Sequence, residues 1–140
     1  DFTMNAGGDV WLSDDLTSDQ DWRIGISKPI SIASPDAGVL TVIDLKNTDF
    51  RAMATSGSAE RGEHIWNPKA AGKEAPTELV QVSVVAEDIV TADVWATAAF
   101  AAGQRGVALL NAEPGVEALF ILASGELAAT DNFATLFAHA

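Results

Sequence analysis

Few residues of this chain could do chemistry, and most stand at spacings that suit no reaction. The histidines are His64 and His139. His139 is next to the last residue, whereas His64 sits in Arg61-Gly-Glu63-His64-Ile-Trp66, where Glu63 could orient its ring for proton transfer. Two histidines so far apart make a poor zinc site, and the absence of cysteine removes thiolate catalysis and disulfides. The densest acidic run, Asp14-Asp15-Leu-Thr-Ser-Asp19-Gln-Asp21, carries oxygen ligands of the kind Ca²⁺ takes. A twelve-residue calcium loop begun at Asp14 needs Gly sixth and Glu twelfth, where Asp19 and Gly25 stand. Pairing Asp15 with Asp19, or Asp14 with Asp21, as glycosidase carboxylates has only residue type behind it. No Gly-x-Ser-x-Gly elbow occurs, and Ser56-Gly57-Ser58 has the composition of a flexible loop. Gly103-Gln-Arg-Gly106 is too short for a phosphate-binding loop, lacks its lysine and reads as a hairpin turn. The residues thus predict no catalytic set, no cofactor and no metal, and so no enzyme.

The tryptophans could serve as contact groups. Trp22 and Trp95 fall inside strand-like patterns and are expected in the core. Trp11 and Trp66 fall in irregular segments and are candidates for exposed anchors, since interfaces concentrate tryptophan.

The elements that must position these groups are short apolar segments cut by Gly, Pro and Asp, the pattern of a mainly β domain. Residues 1–21 are dense in acid and weakly periodic, and are expected to form an extended acidic arm whose only sticky residues are Phe2, Met4, Val10, Trp11 and Leu12. A single β-rich domain is expected over 22–140. Its strands are read at 22–32, with a kink at Pro29, at 39–45 and at 79–85. Further strands are read near 94–100, 106–110, 117–123 and 132–137, although alanine makes a helix compete over 92–102. The 79–85 alternation implies one face toward a core. Residues 47–75 read as a long irregular excursion with one short strand at 64–66. Strands at such spacing predict a small β-barrel or β-sandwich with short helical segments.

Composition sets further bounds. A chain of 140 residues is long enough for one real core. No run of about 18 apolar residues occurs, and no signal-peptide pattern is visible. The net charge is −12, with seven of the eight bases between Arg23 and Lys73. Without a basic stripe, nucleic acid and anionic membrane are disfavoured as partners. An apolar fraction of 48% points to contact with a partner or sister copy.

The segments Val94-Trp95, Gly106-Val107-Ala-Leu109, Ala118 to Ala123, Ser124-Gly125-Glu-Leu127 and Asp131-Asn-Phe133 together resemble the head decoration (cement) proteins of tailed bacteriophages, the lambda type in particular. The resemblance covers about forty residues, less than a third of the chain, and residues 1–93 do not align with it. It implies a non-enzymatic virion protein on the outer capsid surface, a homotrimer bridging copies of a major capsid protein. Phe2, Met4, Val10, Trp11 and Leu12 would then contact the capsid, and Trp66 and Arg105 the neighbouring subunits. The alternatives are an extracellular β-sandwich that stacks carbohydrate on Trp11 and Trp66, and a structural protein of the tail or connector.

Overall fold

The computed structural model describes residues 2–13, 22–29, 38–57 and 78–138. At its centre runs β6 (Leu79–Ala86), buried along its whole length. It pairs antiparallel with β5 (Ala52–Gly57) on one side and β7 (Val116–Leu122) on the other. Outward from these lie β2 (Asp9–Leu12) and β1 (Thr3–Ala6) at one edge and β8 (Leu127–Ala129) at the other, in the order β1-β2-β5-β6-β7-β8. The fold is mainly β, as the patterning implies, but this sheet is open and does not close into a barrel.

The alternation in β6 implied one covered face. Two covers exist, and so every residue of the strand is buried. On one face Val82, Val84 and Ala86, with Ala52, Ala54, Ala118 and Phe120, meet a helical layer. On the other, Val85, Met53, Leu119, Val10 and Leu12 meet Trp22, Ile24, Ile26, Ile43, Leu45, Phe133 and Leu136. Each fully buried aliphatic or Phe side chain contributes about 1.5–3 kcal/mol by leaving water.

The second cover is a hairpin of β3 (Arg23–Ser27) and β4 (Val39–Asp44), the first legible from its alternation and the second from its β-branched residues. Trp22, expected in the core, is there at 3% exposure. Gln81 Nε2 donates to Ser27 O at 3.2 Å, tying the hairpin to the sheet. Where a strand was expected near 132–137 there is a short 3-10 helix, Phe133–Leu136, followed by a bridge from Phe137 to Ile43.

The strands expected at 94–100 and 106–110 are helices, α1 (Ile89–Ala102) and α2 (Arg105–Asn111). Asp88 caps α1: its Oδ1 accepts from Thr91 N at 2.9 Å and its Oδ2 from Thr91 Oγ1 at 2.6 Å. Ala92, Ala96 and Ala99, spaced for one helix face, have no exposed surface and let α1 lie close on β5 and β6. Gly103 ends α1 with φ 64°, so the expected hairpin turn at 103–106 is a joint between two helices. Residues 3–6 and 9–12, expected within an arm, pair as a β1–β2 hairpin on the sheet edge, and Val10 and Leu12 belong to the core. The excursion expected from residue 47 contains β5. The short strand expected at 64–66 lies outside the described residues.

Candidate functional site at the end of the fifth strand

Polar side chains gather where β5 runs out beneath the middle of α1. The sequence there is Ala54-Thr55-Ser56-Gly57, after which the chain passes into residues 58–77, outside the described set. Side chains alternate across the strand. Ala52 and Ala54 face the helices, so Ser56 does too, and its Oγ lies 3.3 Å from Thr97 Oγ1 on α1. Ser56 is 8% exposed, whereas Thr97 is open to solvent. Asp93 stands one helical turn before Thr97, on the same stripe, and is exposed as well. An exposed carboxylate and an exposed hydroxyl thus share one helix stripe, with the nearly buried Ser56 hydroxyl beneath Thr97.

The backbone beneath this patch is fixed from several sides. Thr55 faces the hairpin layer, where its Oγ1 lies 2.9 Å from Ser83 Oγ, its cross-strand partner. Thr55 N donates to Asp9 Oδ1 at 3.2 Å. Gly57 is required by space, because a Cβ there would stand 2.7 Å from the carbonyl oxygen of Val80. Such an approach admits glycine and nothing larger without moving β6.

This donor set is all oxygen. Among the described residues no three His, Cys, Asp or Glu gather as a metal cluster. Asp93, Thr97 and Ser56 are hard oxygen groups that suit Mg²⁺ or Ca²⁺ retaining much of its water, and are foreign to soft metals.

Among the described residues, those singled out from the sequence do not form this site. Phe2 and Met4 are exposed on the edge hairpin, where Phe2 packs its ring edge against Trp11, centroids 5.5 Å apart. Trp11, expected as an exposed anchor, is half-buried against the helix-facing core, and Val10 and Leu12 are buried. Arg105 is exposed at the start of α2. Trp66, His64, His139 and the acidic run 14–21 lie outside the described residues. Asp93 and Thr97 were missed because their four-residue spacing means something only on a helix. Ser56 and Gly57 were missed because small polar residues read as loop.

Comparison with known proteins gives a consistent answer. The ApbE family matches residues 1–120. The FAD:protein FMN transferase of Klebsiella pneumoniae (strain 342) is 29% identical over 127 residues, 84% of this chain and 36% of that protein. The FAD:protein FMN transferase of Treponema pallidum (strain Nichols) is 36% identical over 110 residues, 72% of this chain and 28% of that protein. The crystal structure of the ApbE protein of Thermotoga maritima superposes with a TM-score of 0.75 at 27% identity, covering 99% of this chain and 45% of that one. The flavin transferase ApbE of Vibrio cholerae does so with a TM-score of 0.70 at 27% identity, covering 96% and 43%. The chain therefore spans about a third of the curated relatives it matches and under half of these solved structures.

These matches overturn the resemblance to phage decoration proteins, and with it the capsid partner, the shell trimer and the virion location. The carbohydrate-module and connector alternatives fall as well. The expectation of a non-enzymatic protein is also corrected, since the relatives are transferases. The physical reason is plain in the fold: Val94-Trp95 and Gly106-Val107-Ala-Leu109, which carried the resemblance as strands, are helical.

Proposed function

The chain belongs to the ApbE family, and from that premise we propose that it contributes the β5–α1 side of a site where FMN is transferred from FAD to a protein. The observation that carries the reading is the match over residues 1–120 together with the transferase names of both curated relatives.

The chemistry follows from the reactants. Moving FMN from FAD to a protein breaks the phosphoanhydride bond of the dinucleotide. An acceptor oxygen forms the new bond to the flavin-side phosphorus, AMP leaves with the bridging oxygen, and the acceptor's proton passes to a base or to water. Little covalent work falls to the enzyme in such a transfer, and catalysis is mainly positioning and neutralisation of charge. The patch of Asp93, Thr97 and Ser56 cannot neutralise a pyrophosphate by itself, since a carboxylate repels it. With a divalent cation between them the same oxygens attract it. Asp93 would hold that cation, with Thr97 and Ser56 supplying neutral oxygens, and the cation when bound would offset charge on the phosphates. Ser56 and Thr97 hold each other in place at 3.3 Å, which keeps the patch in one geometry before substrate arrives.

Calorimetric titration of the complete protein with FAD tests this reading. Binding should need Mg²⁺ and should weaken by about tenfold or more in Asp93→Asn. Thr97→Val should weaken it less. FAD affinity that is absent, or that is indifferent to Mg²⁺ and to both substitutions, would remove the reading.

A further inference from the structure

The β2–β5 pairing ends at Met53, three residues before Ser56. Its register matches Trp11 with Ala52 and Val10 with Met53, so continuing it would bring Gly8 opposite Thr55. Gly8 belongs instead to the β1–β2 turn, with φ 104° and its N–H bonded to Asn5 Oδ1 at 3.1 Å. The N–H of Thr55 thereby loses a ladder carbonyl, and Asp9 Oδ1 takes its place. On its other flank Thr55 is held by the ladder to β6 and by the hydroxyl contact with Ser83. The next residue is Ser56, whose hydroxyl meets Thr97, and then Gly57 with no room to spare.

From this arrangement we infer that Asp9 is a positioning residue for the flavin site: its carboxylate stands in for the missing strand and fixes the end of β5, and so the place of Ser56 beside Thr97. The inference rests on the transferase reading above. It concerns a residue on a different hairpin from the patch, one whose part in the site is played through the backbone of Thr55. A strand end held on one flank only would pivot about its β6 ladder. Held on both, it presents Ser56 at one depth.

Two substitutions separate the hydrogen bond from the charge. Asp9→Ala removes the acceptor, whereas Asp9→Asn keeps an acceptor oxygen and removes the charge. Amide hydrogen exchange, and steady-state release of AMP from FAD with an extract of the protein's own host supplying the acceptor, are then measured on both variants of the complete protein. The expected result is faster exchange at Thr55 and Ser56 in Asp9→Ala, with kcat lowered by about tenfold or more. Asp9→Asn should return both readouts to near those of the unaltered protein. Unchanged exchange in Asp9→Ala would overturn the inference. So would faster exchange with unchanged kcat, or an Asp9→Asn protein as impaired in turnover as Asp9→Ala, since the charge would then be what matters. If the unaltered protein shows no turnover of FAD, the transferase reading fails first and this role for Asp9 fails with it, while the exchange data still report whether Asp9 holds β5.

Discussion

Replacing Gly106 by alanine puts two tendencies in direct opposition, and the structure decides which prevails. Gly106 is buried as the second residue of α2, and an alanine within a helix gains about 1 kcal/mol over glycine at most, less in a first turn. A Cβ at this position would stand 2.7 Å from the carbonyl oxygen of Ala99 and 2.9 Å from Phe120 Cε1. Both neighbours are buried, one being α1 backbone and the other a ring with no exposed surface. The joint between the helices would have to lift from the sheet, and such overpacking costs about 1–3 kcal/mol. Gly106→Ala should therefore lose roughly 1–2 kcal/mol net, lowering Tm by roughly 3–8 °C. Thermal unfolding followed by circular dichroism reads this directly. A second comparison, with Gly106→Ala made in a Phe120→Leu background, should show a smaller loss, by about 0.5–1 kcal/mol, because one of the two close contacts is gone. A Tm equal to or above that of the unaltered protein would refute the packing argument, since the helix gain would then stand unopposed.

Other consequences are smaller in scope. Thr130 is 4% exposed; its hydroxyl accepts from Ala118 N at 2.9 Å and donates to Glu117 Oε2. Thr130→Val should cost about 1–3 kcal/mol in urea unfolding with an unchanged m-value, and Thr130→Ser should restore most of it. Gly57→Ala should destabilise the protein and weaken FAD binding together, because its Cβ would push on β6 at Val80. Asp88 has its carboxyl held below the ordinary value of 3.8, first by the side-chain hydrogen bond from Thr91 and then by that residue's backbone N–H. A lowered folded value means that the stabilisation is fully present above the unfolded value and fades as pH falls through the lower folded one. The stability gap between the unaltered protein and Asp88→Asn should thus persist at neutral pH and vanish in strong acid; a gap independent of pH would sink that assignment.

How much of the fold could be read from the sequence follows from which elements have two distinguishable faces. β3 alternates Ile24 and Ile26 with Arg23, Gly25 and Ser27 because one side faces solvent and the other the sheet, and β4 shows itself by its β-branched residues. α1 has no such contrast: Ile89-Val-Thr-Ala-Asp-Val-Trp-Ala mixes apolar residues all round, with Val90 and Val94 exposed and alanines inward. The alanine content keeps a helix in contention, but its ends go unread: Asp88 does not read as a cap, and Gly103 reads as a hairpin turn. β5 is built from Ala, Met, Thr, Ser and Gly, with Thr55 its one strong strand former, and is extended because β2 and β6 hold it. The site inherits both difficulties, since it lies where the disguised helix crosses the disguised strand. Asp93 and Thr97 share a face only once α1 is a helix, and Ser56 points at them only once β5 is a strand.

The central claim is tested most directly by looking for the transfer itself. The complete protein is incubated with FAD, Mg²⁺ and an extract of its own host, the proteins are resolved on a denaturing gel, and flavin fluorescence and released AMP are both measured. The account expects a fluorescent polypeptide band, AMP formed in step with the flavin attached, and both sharply reduced by Asp93→Asn. FAD that stays intact, with no flavin on any band, would contradict it.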